Sequence, residues 1–341
     1  MGDNRGKKRP AEEAFADDLE FDRIAPNGDV TFVLDEGNTR VRVNSAVMKN
    51  ASPVFAAMLG PNFKEGRALS AGDCASVDVP LPEDDAVAFG WVCRVLHSQA
   101  DTNLWSPSPR EIIQVLGIAE KYGLLKGIQI SVQVWIDRQE DSDTNDLWLL
   151  SLACCRAHDA EAFKSATRRL IINHSGSFVQ LAAETENVIP GPDAGRTVYR
   201  LAAIVEESRN KALSKILEVL HTVLPKALER CCCQYHSSTL QPKYGHALKA
   251  QSQAAQYGHS IKRTIDILFW VLFKAFTPVR CEDCAQFRLR EYERIHQVSV
   301  KLQNEVKGVC LPCFDWTSDR EKCKGEGSLR FNCVPGNRQS T

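Results

Sequence analysis

Two Cys-x-x-Cys pairs are the residues whose spacing could do chemistry in this chain: Cys281-Glu282-Asp283-Cys284 and Cys310-Leu311-Pro312-Cys313. Two thiolates two residues apart can bind one zinc ion on a tight turn, and tetrahedral zinc then needs two further ligands, which a second pair supplies. The pairs are 25 residues apart. That exceeds the ribbon spacing of about 15–20, so a helix between them has to absorb the excess. A second set is Cys310, Cys313 and Cys323, with a fourth ligand from Cys333 or from the Cys231-Cys232-Cys233 and His236 cluster. Two readings stand beside zinc. The cysteines can be small buried apolar side chains, or a redox pair, for which a thioredoxin-like βαβ context is missing. A closed four-ligand site holds a fold together, so the cofactor expected is at most structural zinc.

Other catalytic patterns are absent from the sequence: it has no HExxH, GxSxG or dinucleotide fingerprint. Gly191-Pro192-Asp193-Ala194-Gly195-Arg196-Thr197 has the wrong glycine spacing for a phosphate loop and Arg where Lys is required, and reads as a turn feeding a helix. Cys154-Cys155 and His158 lie close together, but adjacent helical residues point about 100° apart, so core cysteines beside a helix-end histidine are the plainer reading. No carboxylate pair is placed for acid–base work. The expectation is therefore a protein that is not an enzyme.

Positioning these residues takes more than one folded unit, since 341 residues exceed a typical single core. A composition 43% hydrophobic and 25% charged argues against wholesale disorder, and a net charge of -1 gives no global pull toward nucleic acid or membrane. Arg280, Arg288, Arg290 and Arg294 alternate with Glu282, Asp283, Glu291 and Glu293, the pattern of a solvated face. The start has no apolar core behind its basic residues, so it reads as no secretory signal. Ile265–Phe276 falls short of the about 20 apolar residues a span needs and is interrupted by Asp266 and Lys274, which predicts a buried amphipathic helix. An intracellular chain, in cytoplasm or nucleus, is expected. Nine of the thirteen cysteines crowd between Cys231 and Cys333, and structural disulfides are rare in reducing compartments.

Residues 1–20 show no apolar period and predict a charged, disordered tail, in which Lys7-Lys8-Arg9 is a candidate import signal. Order is expected from Phe21 onward. Asp29–Leu34 and Thr39–Val43 read as strands joined by the hairpin Asp35-Glu36-Gly37-Asn38, and Val77–Leu81 as a third. Ser45–Ala51 reads as a short helix capped by Asn44 or Ser45. Ser52-Pro53 opens another, with Val54, Phe55, Met58 and Leu59 as its apolar stripe. Helices follow over Ala86–His97, Glu111–Tyr122, stopped by Gly123, and Leu125–Ile136. The order predicts an α+β fold.

Gly28-Asp29-Val30-Thr31-Phe32, Val43-Asn44-Ser45-Ala46-Val47-Met48 and Ala51-Ser52-Pro53-Val54-Phe55-Ala56-Ala57-Met58-Leu59 resemble the BTB/POZ family. Val77-Asp78-Val79 and Ile118-Ala119-Glu120-Lys121-Tyr122-Gly123-Leu124 extend the resemblance, in the family's order, over about a third of the chain, and the variant is similar to those of filamentous fungi. Many members carry His where Asn44 stands, which leaves an interior-facing polar residue, and Arg94-Val95-Leu96-His97 lacks the aromatic-Thr-Gly ending common in animal members.

The resemblance implies a small sheet flanked by helices that works by self-association and partner recruitment, as a homodimer or heterodimer. Val54, Phe55, Met58 and Leu59 and the N-terminal strand would lie in or near the contact. Some members are substrate adaptors of cullin ubiquitin ligases. Phe63-Lys64-Glu65 falls at their cullin-contact motif, where an apolar anchor gives energy and a charge gives register. A zinc-dependent transcriptional regulator is the third alternative. Proteins are the partners expected, not membrane or nucleic acid.

After this domain (21–138), residues 139–228 predict a helical extension. It holds a helical hairpin, with Asp146 capping its first helix and Asp159 its second, then helices over Val198–Glu207 and Ser208–Leu228. Residues 229–341 predict a Cys-rich helical region in which a polar helix carries His296.

Overall fold

The computed structural model describes residues 20–72, 76–100, 106–139, 143–189, 191, 193–229, 249, 258–275 and 282–314. The expected N-terminal tail lies outside them. The chain divides into two compact units, Met1–Arg138 and Gln139–Thr341. The architecture is mixed α+β and mostly helical, with one small sheet near the N-terminus.

In the first unit the sheet runs β1 (Glu20–Arg23), β3 (Thr39–Val43), β2 (Val30–Leu34), β4 (Val77–Pro80) in spatial order. β2 and β3 form the expected antiparallel hairpin, Val30 opposite Val43 and Leu34 opposite Thr39. β4 pairs parallel with β2 and β1 parallel with β3. The period of two sends Val30, Phe32 and Leu34 of β2 and Val41 and Val43 of β3 into the core. Arg40, in the alternate phase, reaches Asp78 in an ion pair, and Arg42 Nε donates to the Gly28 carbonyl at 2.7 Å.

Two short helices follow, α1 (Ser45–Ala51) and α2 (Pro53–Met58). Asn44 Oδ1 accepts from the Ala46 N–H at 2.9 Å, and Ser52 Oγ from the Phe55 N–H at 3.0 Å with Pro53 in the first turn. α3 (Lys64–Ala71) was not expected; it ends on Gly72 at φ 70°. Then come α4 (Ala86–Leu96), α5 (Pro109–Lys121) and α6 (Leu125–Asp137). α4 stops one residue before the expected His97. α5 starts two residues earlier than expected because Ser108 and Glu111 close a capping box around Pro109. Gly123, at φ 65°, takes the left-handed position after α5.

The core of this unit is an aromatic cluster. Phe32 meets Phe89 edge-on at 5.0 Å, and Phe55 stacks on Tyr122 at 4.6 Å. The Tyr122 hydroxyl donates to buried Asp84, which also holds Lys121 Nζ at 2.6 Å. Burial first, and the Asp84 bond second, push the Tyr122 phenol far above its ordinary range, so it stays protonated.

Among the described residues of the second unit the regular elements are all helices. α7 (Thr144–Arg156) and α8 (Ala160–Asn173) form the expected helical hairpin. Asp159 caps α8 as anticipated. The cap of α7 is Asp143 rather than Asp146, because Asp143 Oδ1 accepts from the Asp146 N–H at 2.9 Å. α9 (Phe178–Thr185) was not foreseen, and the two helices expected between 198 and 228 are one continuous α10 (Ala194–Glu229). α11 (Ile261–Ala275), α12 (Glu282–Glu305) and the short α13 (Leu311–Phe314) complete it. Among the described residues no helix is long and apolar enough to cross a membrane.

Arg209 of α10, 2% exposed, gathers four pieces of chain. Its Nη1 donates to the carbonyls of Gly176 at 2.7 Å, His174 at 3.3 Å and Gly258 at 3.4 Å, and its Nη2 holds the Glu206 carboxylate at 2.6 and 2.8 Å. Its guanidinium lies 4.7 Å from the Phe178 ring centre. The far end is strapped to α8: Arg168 binds the carbonyls of Gln303 and Val306, and the Thr167 hydroxyl accepts from the Val309 N–H at 2.8 Å. Replacing Arg209 by Met keeps volume but leaves the His174 and Gly176 carbonyls and Glu206 without this donor and takes one of two donors from the Gly258 carbonyl. Denaturant unfolding of Arg209→Met is expected to show a loss of about 3–5 kcal/mol.

Candidate functional site

The residues expected to meet a partner sort by side. Phe55 and Leu59 are fully buried in the aromatic core and do not face solvent. The α2 stripe is therefore a packing stripe, as its ring contacts with Phe32 and Tyr122 require. Met58 is half-buried, and Val54 is 37% exposed on the outer face. Phe63, 50% exposed, caps the start of α3, and Glu65 lies in its first turn, half-buried. Val54, Phe63 and Glu65 thus leave the core free to touch another molecule.

A glycine pair sets how α3 leaves α2. A Cβ on Gly66 would sit 1.7 Å from the Gly60 carbonyl oxygen, so this turn of α3 presses directly on the Leu59–Gly60 backbone. The Phe63 N–H donates to that same Gly60 carbonyl at 3.3 Å. Phe63 is consequently presented by backbone contacts rather than by burial of its own ring. The Phe63-Lys64-Glu65 pattern is visible in the sequence; the Gly60–Gly66 approach that aims it is not.

The two departures at Asn44 and His97 prove to be one feature. Asn44 was expected to face the interior, but it is exposed, because Val43 points inward and the next residue alternates outward. Its backbone N–H donates to Nε2 of His97 at 3.1 Å. Nδ1 of His97 lies 2.8 Å from the Cys93 carbonyl and carries the ring proton. His97 therefore joins the end of α4 to the start of α1. Nearby, Asp29 accepts from the Ser45 N–H at 2.7 Å and hydroxyl at 2.6 Å. Partial burial would raise the Asp29 carboxyl, but the Ser45 bonds and Lys49 outweigh it and hold it below its ordinary value.

For the cysteines, the backbone bears on the pairing of the two Cys-x-x-Cys pairs with each other. Cys284 lies in the first turn of α12, and that helix runs unbroken to Glu305, about 32 Å away at 1.5 Å per residue. The five residues on to Cys310 can return at most about 18 Å. The Cα atoms of Cys284 and Cys310 therefore stay at least about 14 Å apart, whereas ligands of one zinc need Cα atoms within about 9 Å. The helix between the pairs separates them instead of absorbing the excess. Cys310 precedes α13, whose Phe314 packs on Phe163 at 5.4 Å. Cys281, Cys323, Cys333 and the 231–236 cluster lie outside the described residues, as do the side chains of Cys284 and Cys313. Among those described, no group of three or more His, Cys, Asp or Glu could hold a metal. Cys154 is buried in α7, and His158 sits in the turn after it at φ 55°.

No family model, curated protein or solved structure matches this chain.

Two outcomes test this geometry. Gly66→Ala forces α3 off the Gly60 backbone and is expected to destabilise the first unit by about 1–3 kcal/mol in thermal unfolding. A short bifunctional thiol reagent is expected to give no Cys284–Cys310 cross-link in peptide mass mapping of the full chain.

Proposed function

We propose that residues 20–138 are a non-catalytic protein-interaction module of the BTB/POZ kind, pairing with a second copy of the chain or with another protein inside the cell. The observation that carries the reading is the exposed apolar side chain of Phe63, whose backbone is held to Gly60 with Glu65 two residues on, together with Val54 exposed on α2. An apolar anchor that takes no part in the core, with a charge next to it, suits a partner's pocket. The order of hairpin, two capped helices, a parallel fourth strand and three helices supports it, being the order the sequence resemblance implies. The second unit then supplies a further surface.

Within this reading, a cullin substrate adaptor is the alternative that a specific feature favours. Phe63-Lys64-Glu65 opens α3 directly after the Ser52-Pro53 helix, with Phe63 outward. The regulator alternative rests on Lys7–Arg9 and on the cysteines from Cys323 onward, which lie outside the described residues. Structural zinc in this reading is held by the second set, Cys310, Cys313 and Cys323 with a fourth ligand from Cys333 or the 231–236 cluster.

Binding of the full chain to a purified cullin N-terminal domain separates the two. An adaptor is expected to bind, and Phe63→Ala with Glu65→Ala to weaken that binding at least about tenfold. Unchanged binding removes the adaptor reading. Sedimentation of the full chain tests the wider proposal. A concentration-dependent dimer weakened by Val54→Asp is expected, whereas a monomer at every concentration that also ignores the cullin domain overturns it.

A further inference from the structure

The described residues of the second unit contain a cluster of titratable groups that the interaction reading leaves unused. His174, 7% exposed, ends α8, and its Nε2 is buried with no hydrogen-bond partner. Its ring lies 4.6 Å from that of Phe178, the first residue of α9. Two residues on, the Gly176 N–H donates to the Gly258 carbonyl at 2.7 Å, and the Ser175 hydroxyl accepts from the Ser260 N–H at 3.2 Å. These bonds dock the start of α11 against the α8–α9 turn. Gly176 and Gly258 sit at φ 115° and 61°, and a Cβ on Gly258 would stand 2.9 Å from the Gly176 carbonyl oxygen. His259, beside that contact, also has a buried nitrogen, Nδ1, without a partner. Arg209 closes the junction by holding the His174, Gly176 and Gly258 carbonyls together.

We propose that His174 and Arg209 form a proton-sensitive clasp that releases the 174–177 and 258–260 segments from α10 on acidification. A proton on Nε2 of His174 places a second cation beside the Arg209 guanidinium, at a buried nitrogen with no acceptor. From α10, Glu206 faces the pair as well, but its carboxylate is already taken by Arg209. α9 offers the Phe178 ring, and from α11 it is Arg263, another cation, that faces His259. Burial first, and the Arg209 charge second, hold the His174 imidazole below its ordinary value, with the Ser177 backbone and Glu206 offsetting part of this. Burial, then Arg263, lowers His259 in the same sense. The unfolded chain therefore binds more protons than the folded one once pH falls below about 6.5. The clasp is complete above that pH and weakens as pH falls through the depressed values. Asp29 of the first unit loses its contribution only in the carboxylate range, so the two acid responses are separate in pH.

Hydrogen exchange with mass spectrometry on the full chain, from neutral to about pH 5, tests the proposal. After correction for intrinsic rates, peptides covering 174–182 and 258–265 are expected to lose protection below about pH 6.5 while those of β2 and β3 keep theirs. His174→Phe, an apolar ring beside Phe178, should abolish that local loss, and His259→Gln should only reduce it. Unchanged protection in the unaltered chain overturns the clasp, as does a loss in His174→Phe at the same pH as in the unaltered chain. If His174→Phe does not fold, the imidazole titration of His174 in the unaltered chain decides. A midpoint below 6.5 that tracks the local opening supports the clasp, and one at or above 6.5 overturns it.

Discussion

The first unit hangs on Tyr122. Its ring stacks on Phe55, its hydroxyl is held by the buried Asp84 carboxylate, and its carbonyl accepts from the Ser52 hydroxyl that caps α2. One residue at the end of α5 thereby fixes α2, about seventy positions earlier in the chain, by stacking and by holding its cap hydroxyl, while a charge-assisted bond ties the same residue to Asp84 before α4. α2 is pinned by Tyr122, and α3 is then pinned to the end of α2 by the Gly60–Gly66 approach. The outward positions of α2 and α3 side chains are thus set by contacts within the fold.

Arg209 does comparable work in the second unit by the opposite chemistry. Where Tyr122 binds through a ring in an aromatic core, Arg209 binds through a buried cation that reaches the carbonyls of Gly176 and Gly258, turn residues at positive φ, and of His174 at the end of α8. Buried charge of this kind holds only while every partner is in place, so the arrangement specifies one packing of α8, α9, α10 and the start of α11 more than it adds net stability.

How far the sequence carried depended on whether a segment's own pattern or a distant contact decides its structure. Alternation in Val30–Leu34 and Thr39–Val43, the Ser52-Pro53 start and the Ser108–Glu111 box are local signals, and the elements they mark were legible. β1 was not, because four residues of mixed polarity become a strand only by lying along β3. α3 was not, because Lys64–Ala71 is polar and contains a glycine that costs helix propensity, and the Gly60 backbone holds it. Among the site residues, the position of Phe63 followed from motif order. Its exposure, and the burial of Phe55 and Leu59 beside it, needed the tertiary contacts. Arg209 among Glu206, Glu207, Asn210 and Lys211 reads as part of a solvated face, so nothing in the sequence announced its burial. The separation of Cys284 from Cys310 was not legible for a related reason: a 25-residue spacing fixes a distance only once the intervening residues are known to form one helix.

The strap over α8 bears on the order in which the second unit can be made. Thr167 and Arg168 wait for partners at Gln303, Val306 and Val309, and Gly308 fits against the Lys164 carbonyl with no room for a side chain. Phe163, in the same helix, is covered by Phe314. During synthesis α7 and α8 can pair as soon as they emerge, but one face of α8 stays bare until about 140 further residues have left the ribosome. The nascent chain therefore carries Phe163, Thr167 and Arg168 of α8 without these partners while those residues are made. Closure of the unit is a late, long-range event set by translation of its last described turn.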